Sequence, residues 1–423
     1  MLHSGAWSYF MINNISDNHA HDDSLSNFEV TTHTAGMWKY NPIPEKPEPY
    51  SEYLSSYENN DYAEIIAARV RGKKHKHEGT NCDDWYEFKI IDDAIIVAVA
   101  DGAGSKLLSR IGAKESCKSA VSYLENEFKK LFIDNSNIIK NLSKDFDDKD
   151  FIAQCTKLAS VMQGSVNAAF DGIDSAFKSR RLSDELIESI GKVPDIKDFS
   201  STLLVAVIIP VNVNNCREHF VISVQIGDGM IASVNRDADF ADALRILGNA
   251  DGGSFAGETE FITSESTRLP ESLMSRTKIG RRKISSLMLM TDGVADDYYP
   301  NTPEILRLYL DLQLNNIIGE YGFNSDDSAH EFIDKIPKPV SYPWVNDSDI
   351  CYAIQYAKNI ITNTALDLEK LWSRHDILNT ASLKYFNADS YCKDKAEMLS
   401  VWLDNYVERG SFDDRTLVII NVK

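Results

Sequence analysis

Cysteine is scarce: the 423 residues carry six (Cys82, Cys117, Cys155, Cys216, Cys351 and Cys392), scattered and without a CxxC pair. This spacing argues against a disulfide framework and reads as reduced thiols. Long apolar runs are missing as well, and nothing approaches the roughly 20 residues that a membrane-spanning helix needs. The opening "MLHSGAWSYF" lacks the basic-then-apolar pattern of a secretion signal, so the expected compartment is the cytoplasm. Positive charge is in short supply, with 44 Lys and Arg against 64 Asp and Glu and a formal net charge of −20. A nucleic-acid backbone or an anionic membrane would repel such a surface, which excludes both as main partners, whereas cations would be gathered by it. What remains is ordinary for a globular chain: 43% hydrophobic and 26% charged residues, long enough for one large core with additions or for two domains.

Residues 1–60 are rich in Asn, Ser, Asp and His and contain the Pro-spaced "NPIPEKPEP", so they read as an extension of low order, with one short strand at "WSYFMI". The character changes at "YAEIIAARV". The β-branched runs "YEFKII", "AIIVAVA", "TLLVAVIIPV", "EHFVISVQI", "ISSLMLM" and "RTLVIINV" follow, separated by helical patterns at 111–132 and 152–179. On the first of these helices Ala113, Cys117, Ala120, Val121 and Leu124 share a face. Hairpin-paired strands interrupted by helix pairs define an α+β chain with antiparallel sheets. There is no internal repeat. Segment 301–410 is helical in pattern, with Ile354, Ala357, Ile361, Leu368 and Trp372 on a stripe that reads as core packing and with Gly410 as a helix stop.

The chemistry is carried by carboxylates at strand ends. "AIIVAVADGAGS" breaks a seven-residue apolar run on Asp101, followed by Gly102-Ala103-Gly104. "VISVQIGDGM" ends on Asp228 between two glycines, and "ISSLMLMTDGVADD" ends on Thr291-Asp292-Gly293, with Asp296 and Asp297 beyond. Asp83 and Asp84 precede one strand, and Asp413 and Asp414 precede the last. Any one Asp-Gly is explained by a turn. Five acidic strand ends are not, because carboxylates brought together repel and raise one another's pKa. A hard divalent cation removes that penalty, and an all-oxygen, water-rich donor set suits Mg²⁺ or Mn²⁺. The lack of a His or Cys cluster beside these positions disfavours zinc.

The ordered series "GKKHKHEGTNCDD" (72–84), "VADGAGS" (99–105), "FSSTLLVAV" (199–207), "QIGDG" (225–229), "GETEFIT" (257–263), "MTDGVADDYYP" (290–300) and "DDRTLVII" (413–420) resembles the metal-dependent Ser/Thr protein phosphatases of the 2C type, in their bacterial form. The resemblance covers roughly residues 60–300 and the C-terminal strand. It implies a four-layer α-β-β-α sandwich, two antiparallel sheets face to face with helices outside, as one domain over 61–423. It also implies a two-metal site at one edge. Carried over by motif, Asp101 bridges both Mg²⁺ or Mn²⁺ ions, the Gly102 carbonyl lies on the first, and Asp292 and Asp413 hold the second. Asp83 falls where the family often has Glu or Gln, and Asp84 on the Asp that follows, acting through water. Asp228 and Asp296 fall where some members bind a third, weaker ion. Asp414 and Asp297 read as solvated neighbours. The implied reaction is hydrolysis of phosphoserine or phosphothreonine on a protein by a metal-activated water, so no nucleophilic side chain is needed. The implied partners are a phosphorylated protein and a partner Ser/Thr kinase whose work is reversed.

The chain departs from the family pattern at two functional positions. The His that often follows the Asp-Gly is Ala103, and an Arg that binds substrate phosphate is replaced by Gly79. Lys73, Lys74, His75 and Lys76 lie upstream and read either as a solvated basic loop or as substitutes, with His75, which matches the bacterial "GKxH", as a phosphate contact. His19, His21 and His33 lie in the leader and read as incidental. The long spacer between Asp292 and Asp413 suggests a helical insertion at about 320–395, forming a lid or docking surface. Two alternatives stay open: a catalytically weak binding or sensing module on the same fold, and a hydrolase of a small phosphorylated metabolite.

Overall fold

In the computed structural model the described residues are 39–134, 137–238, 240–248, 259–298, 392–405 and 412–423, with short pieces between 304 and 318. The strand expected at "WSYFMI", His19, His21 and His33, and nearly all of the insertion expected at about 320–395 lie outside them.

Eleven strands are described: β1 (Tyr53–Asn59), β2 (Ala63–Val70), β3 (Trp85–Ile91), β4 (Ala94–Ala100), β5 (Leu203–Val213), β6 (Cys216–Ile226), β7 (Met230–Val234), β8 (Leu244–Ile246), β9 (Thr277–Arg282), β10 (Ser286–Met290) and β11 (Arg415–Val422). They form two sheets, in the orders β1-β2-β11-β10-β7-β8 and β3-β4-β5-β6-β9, and every pairing is antiparallel. The boundary expected at residue 60 falls inside a hairpin, since β1 pairs with β2 from Tyr53↔Val70 to Asn59↔Glu64.

The β-branched runs are buried on both faces, which is why they read as continuous rather than alternating. Ile65, Ala67, Ile95, Val97, Val99, Leu204, Ala206, Leu287, Leu289, Val418 and Ile420 meet between the sheets. The residues one position away point the other way. Ile66, Ala68, Met288, Met290, Leu417 and Ile419 pack with residues of the helix Lys395–Asn405 and of the pieces at 305–318. On the second sheet Ile96, Ala98, Ala100, Val205 and Val207 pack under the helices Ser109–Asp134 and Lys149–Arg180. Three apolar interfaces therefore separate four layers, two sheets flanked by helices. Each fully buried Val, Leu or Ile contributes about 1.5–3 kcal/mol of transfer free energy, before the entropy of ordering the chain is subtracted. No helix among the described residues is long and apolar enough to cross a membrane.

Antiparallel register decides where the acidic strand ends go. Trp85, at the start of β3, pairs with Ala100 at the end of β4, so Asp84 and Asp101 leave the sheet at one edge. Leu203↔Ile226 brings the end of β6, and with it Asp228, to the start of β5. In the other sheet Met290 pairs with both Leu417 and Met230, and Arg415 pairs with Val70. The end of β10, the end of β2 and the start of β11 are thereby collected together.

Candidate metal centre and active site

Asp101, Asp228 and Asp292 each place a carboxylate oxygen so that all three lie within 4.8 Å of one another. Asp101 is fixed through its backbone: its N–H donates to Thr202 Oγ1 at 2.8 Å, and its carbonyl accepts from the Thr202 N–H at 2.8 Å. Gly102 continues the pairing as an isolated bridge with Ser201. Asp228 sits between Gly227 (φ +93°) and Gly229 (φ +87°), a left-handed pair that residues with a Cβ rarely adopt. Buried Gln225 grips this turn, its Nε2 donating to the carbonyls of Gly227 and Gly229 at 3.2 Å each. Thr259 Oγ1 donates to Asp228 Oδ2 at 2.6 Å. Asp292 opens a short helix, Asp292–Ala295, which runs so close to the last strand that a Cβ on Gly293 would lie 1.9 Å from the Asp414 carbonyl oxygen.

Asp84 lies behind this triplet, fully buried. Its Oδ2 accepts from Thr291 Oγ1 at 2.8 Å and from Thr416 Oγ1 at 2.6 Å, so two threonines of one sheet hold an aspartate that leads into the other. Its Oδ1 is buried and meets no N–H or alcohol donor. The Asp84 carboxyl also interacts with that of Asp101, an arrangement that a shared proton or a cation satisfies. Asp228 Oδ1 is likewise buried without a donor. Orphaned carboxylate oxygens in an oxygen-only donor set fit a hard divalent cation, and they fit zinc poorly.

The remaining expected residues lie around this core. Burial, followed by Asp414, lifts Asp83 and Asp84 to about 7. Burial, followed by Asp228, Asp84 and Asp413, lifts Asp292 to about 8. Asp101 is raised well above the carboxylate range by burial and then by Asp292 and Asp84. Asp296 is raised by partial desolvation of its carboxyl and then by the charge of Asp228, modestly, in keeping with a residue that remains exposed. Asp413 stands outside the tight triplet and faces a second group instead, in which His75, Asp413 and Asp414 place ligand atoms within 4.8 Å. His75 Nε2 is 3.6 Å from Asp413 Oδ1, and Lys74 Nζ is 3.9 Å from Asp413 Oδ2.

Two carboxylates read from the sequence as solvated are buried. Asp414 accepts from the N–H of Gly72 (2.6 Å) and of Asp83 (2.5 Å) and is 2.9 Å from His75 Nδ1. Asp297 is buried and pairs with Arg415 Nη2 at 3.1 Å. The basic stretch is a short helix, Lys73–Glu78, and not a loop; its His75 is buried, with Nδ1 taken up by Asp414. Burial alone would lower His75, but Asp414 overcomes it and raises the ring to about 9. Gly79 ends that helix at φ +74°, with Asn41 Cβ 3.3 Å from where its own Cβ would be. Ala103 is buried, and its N–H donates to the Ser200 carbonyl. Thr202, Thr291, Thr416, Thr259, Gln225 and Asp414 were not legible as site residues. The available signal was a threonine adjoining Asp292 in "TDG" and one two residues after Asp414 in "DDRT".

These shifts give the metal-free protein a pH dependence of definite sign. Acids raised from about 4 to 7–8 bind more protons folded than unfolded, so their ionisation destabilises the fold as pH rises through that window. His75, raised from 6.5 to about 9, loses its contribution as pH rises over that interval. His219, lowered to about 4 by burial and then by Arg217, works the other way, costing stability as pH falls below its unfolded value of 6.5, a small offset at pH 6 against several raised acids and His75. The chelator-treated protein is expected to melt roughly 5 °C lower at pH 8.5 than at pH 6, and saturating Mn²⁺ should flatten the difference. A melting temperature that stays level or climbs with pH in chelator would contradict the clustering.

A profile of the protein phosphatase 2C family matches residues 71–317, more than half of the chain, and the protein belongs to that family. Similar solved structures include RsbX in complex with magnesium (12% identity, TM-score 0.33, covering 88% of this chain and 100% of that one). They also include a bacterial serine phosphatase (10%, 0.37, covering 88% and 98%) and a phosphatase from Toxoplasma gondii (11%, 0.38, covering 88% and 95%). No curated protein matches the chain at comparable stringency.

Proposed function

We propose that this phosphatase hydrolyses phosphoserine or phosphothreonine on proteins, in the cytoplasm, using Mg²⁺ or Mn²⁺ held by its strand-end carboxylates. The observation that carries the reading is the convergence of Asp101, Asp228 and Asp292 within 4.8 Å. Asp101 would be shared between two ions, with the Gly102 carbonyl on the first and Asp292 and Asp413 on the second. Asp83 and Asp84 would complete the first site, Asp84 through water, and Asp228 with Asp296 would hold a third, weaker ion. The electrostatic link from Asp228 to both Asp292 and Asp296 is consistent with adjoining sites. When bound, such ions would neutralise phosphoryl oxygens and make a water nucleophilic.

The chain's own residues would then bind and orient the phosphoryl group. Lys74 is the candidate for the cation that the missing Arg would have supplied: its Nζ lies near Asp413 and 3.9 Å from where a Cβ of Gly104 would be, and its side chain is 43% exposed. An ammonium binds phosphate as a point charge, without the bidentate fork of a guanidinium. Lys74→Ala is therefore expected to raise KM for a phosphothreonine peptide about tenfold, the loss of roughly 1.4 kcal/mol. Lys74→Arg should restore most of it, and an unchanged KM in the alanine variant would remove Lys74 from the site.

The described cysteines are all free, in keeping with a reducing compartment. A Ser/Thr kinase acting on the same substrate is the partner that this activity requires. The purified protein should release phosphate from a phosphothreonine peptide with Mn²⁺ and stop when chelator is added. No chelator-sensitive turnover would end the enzyme reading, and turnover of nitrophenyl phosphate alone would favour a small-metabolite substrate.

A further inference from the structure

Asp413 precedes β11 and takes no part in its ladder, which begins at Arg415, so the sheet does not by itself orient this carboxylate. Its Oδ1 accepts the N–H of Asp414 at 3.0 Å, and residues 72–75 fix the backbone around it through a set of short contacts. The N–H of Lys74 donates to the Phe412 carbonyl at 2.9 Å, and the N–H of Gly72 donates to Asp414 Oδ1 at 2.6 Å. A Cβ on Gly72 would lie 2.2 Å from the Asp413 carbonyl carbon, so the two backbones are in direct contact. Asp414 Oδ2 takes the N–H of Asp83 and faces His75 Nδ1 at 2.9 Å. One buried carboxylate thus joins residues 72–75, 83 and 414, which are far apart in sequence. The His75 ring lies between adjacent aspartates, with Nδ1 on Asp414 and Nε2 facing Asp413 Oδ1 at 3.6 Å, beyond hydrogen-bond length.

We propose that His75 and Asp414 form a positioning pair that sets the carboxylate of Asp413 and the backbone of Asp83 for cation binding. The inference rests on the metal reading above. Neither residue touches substrate, and both act through the groups they hold. The pair has the character of a supporting shell around metal ligands, where loss of a partner typically costs 10–100-fold in affinity or activity.

The geometry separates the two ring nitrogens. An amide nitrogen in His75→Asn occupies roughly the place of Nδ1, and one in His75→Gln roughly that of Nε2. Because the short contact is the one from Nδ1 to Asp414, Asn should preserve the pair better than Gln or Ala.

The experiment is direct binding of Mn²⁺ to the full chain, read from the electron paramagnetic resonance signal of the free ion, with a melting curve for each variant. The native protein and His75→Asn are expected to differ by less than about fivefold in affinity. His75→Gln and His75→Ala should bind roughly 10–100-fold more weakly. If His75→Ala does not fold, the comparison of Asn with Gln decides. Native binding with Gln equal to Asn, or with folded His75→Ala equal to native, overturns the pair alone. Absence of Mn²⁺ binding by the native protein overturns the metal reading and the pair with it.

Discussion

Asp101→Ala is expected to lower Mn²⁺-dependent hydrolysis of a phosphothreonine peptide by about a thousandfold or more at fixed metal concentration. On the proposed reading Asp101 would be the carboxylate that two ions share: its ligand oxygen lies within 4.8 Å of those of Asp228 and Asp292, and its carboxyl interacts with that of Asp84. Removing it should take away the common ligand of two ions, whose stabilisation of transition-state charge amounts to several kcal/mol. Each 1.36 kcal/mol is tenfold in rate, so a loss of about 4 kcal/mol reads as three orders of magnitude. The fold should survive, and the metal-free variant should even melt higher, because Asp101 carries a strongly raised pKa from burial and from its acidic neighbours. Opposite signs on activity and stability distinguish a ligand cluster from a structural one. A variant retaining more than a tenth of the native turnover, or melting well below the native protein in chelator, would contradict the assignment.

Asp414→Ala should have the opposite effect on stability, losing about 3–5 kcal/mol of unfolding free energy in a urea titration. Two effects compete. Asp414 raises Asp83 and Asp84 through its charge, so deleting it relieves repulsion. Deletion also strips the acceptor from the backbone N–H groups of Gly72 and Asp83 and leaves the raised, buried His75 without its partner. Unsatisfied buried donors cost about 1–3 kcal/mol each, and an uncompensated buried charge costs more, so the second effect wins. Asp414 itself is held down, burial being outweighed by His75 and the two backbone donors, which is the signature of a carboxylate the fold wants ionised. Asp414→Asn should recover only part of the loss, since one amide nitrogen cannot accept. An alanine variant within about 1 kcal/mol of native would mean that this carboxylate is not what holds the three segments.

Much of the architecture was legible in the chain. The runs at 94–100, 203–213, 216–226, 286–290 and 415–422 are strands, and the helical patterns at 111–132 and 152–179 lie within the helices Ser109–Asp134 and Lys149–Arg180. Composition misleads before residue 60, where the polar "YLSSYEN" is nonetheless β1: an edge strand needs ladder partners more than a hydrophobic face, and β2 provides them. Local pattern misread Asp297 and Asp414 for a related reason. Acidic and basic residues in a cluster usually lie in water, and only a partner from elsewhere makes their burial tolerable.

The sequence by itself determined that five carboxylate-bearing stretches stand at strand ends, because an apolar run stopped by Asp-Gly, or started after paired aspartates, has few other conformations open to it. Only the tertiary structure decided which of those ends meet. Antiparallel register brings Asp84 beside Asp101 and collects Asp228, Asp292 and Asp413 at the same edge, while Asp414 and His75, 339 residues apart, become one hydrogen-bonded pair. Strand periodicity is a short-range property of neighbouring residues, whereas pairing and burial depend on segments hundreds of positions away.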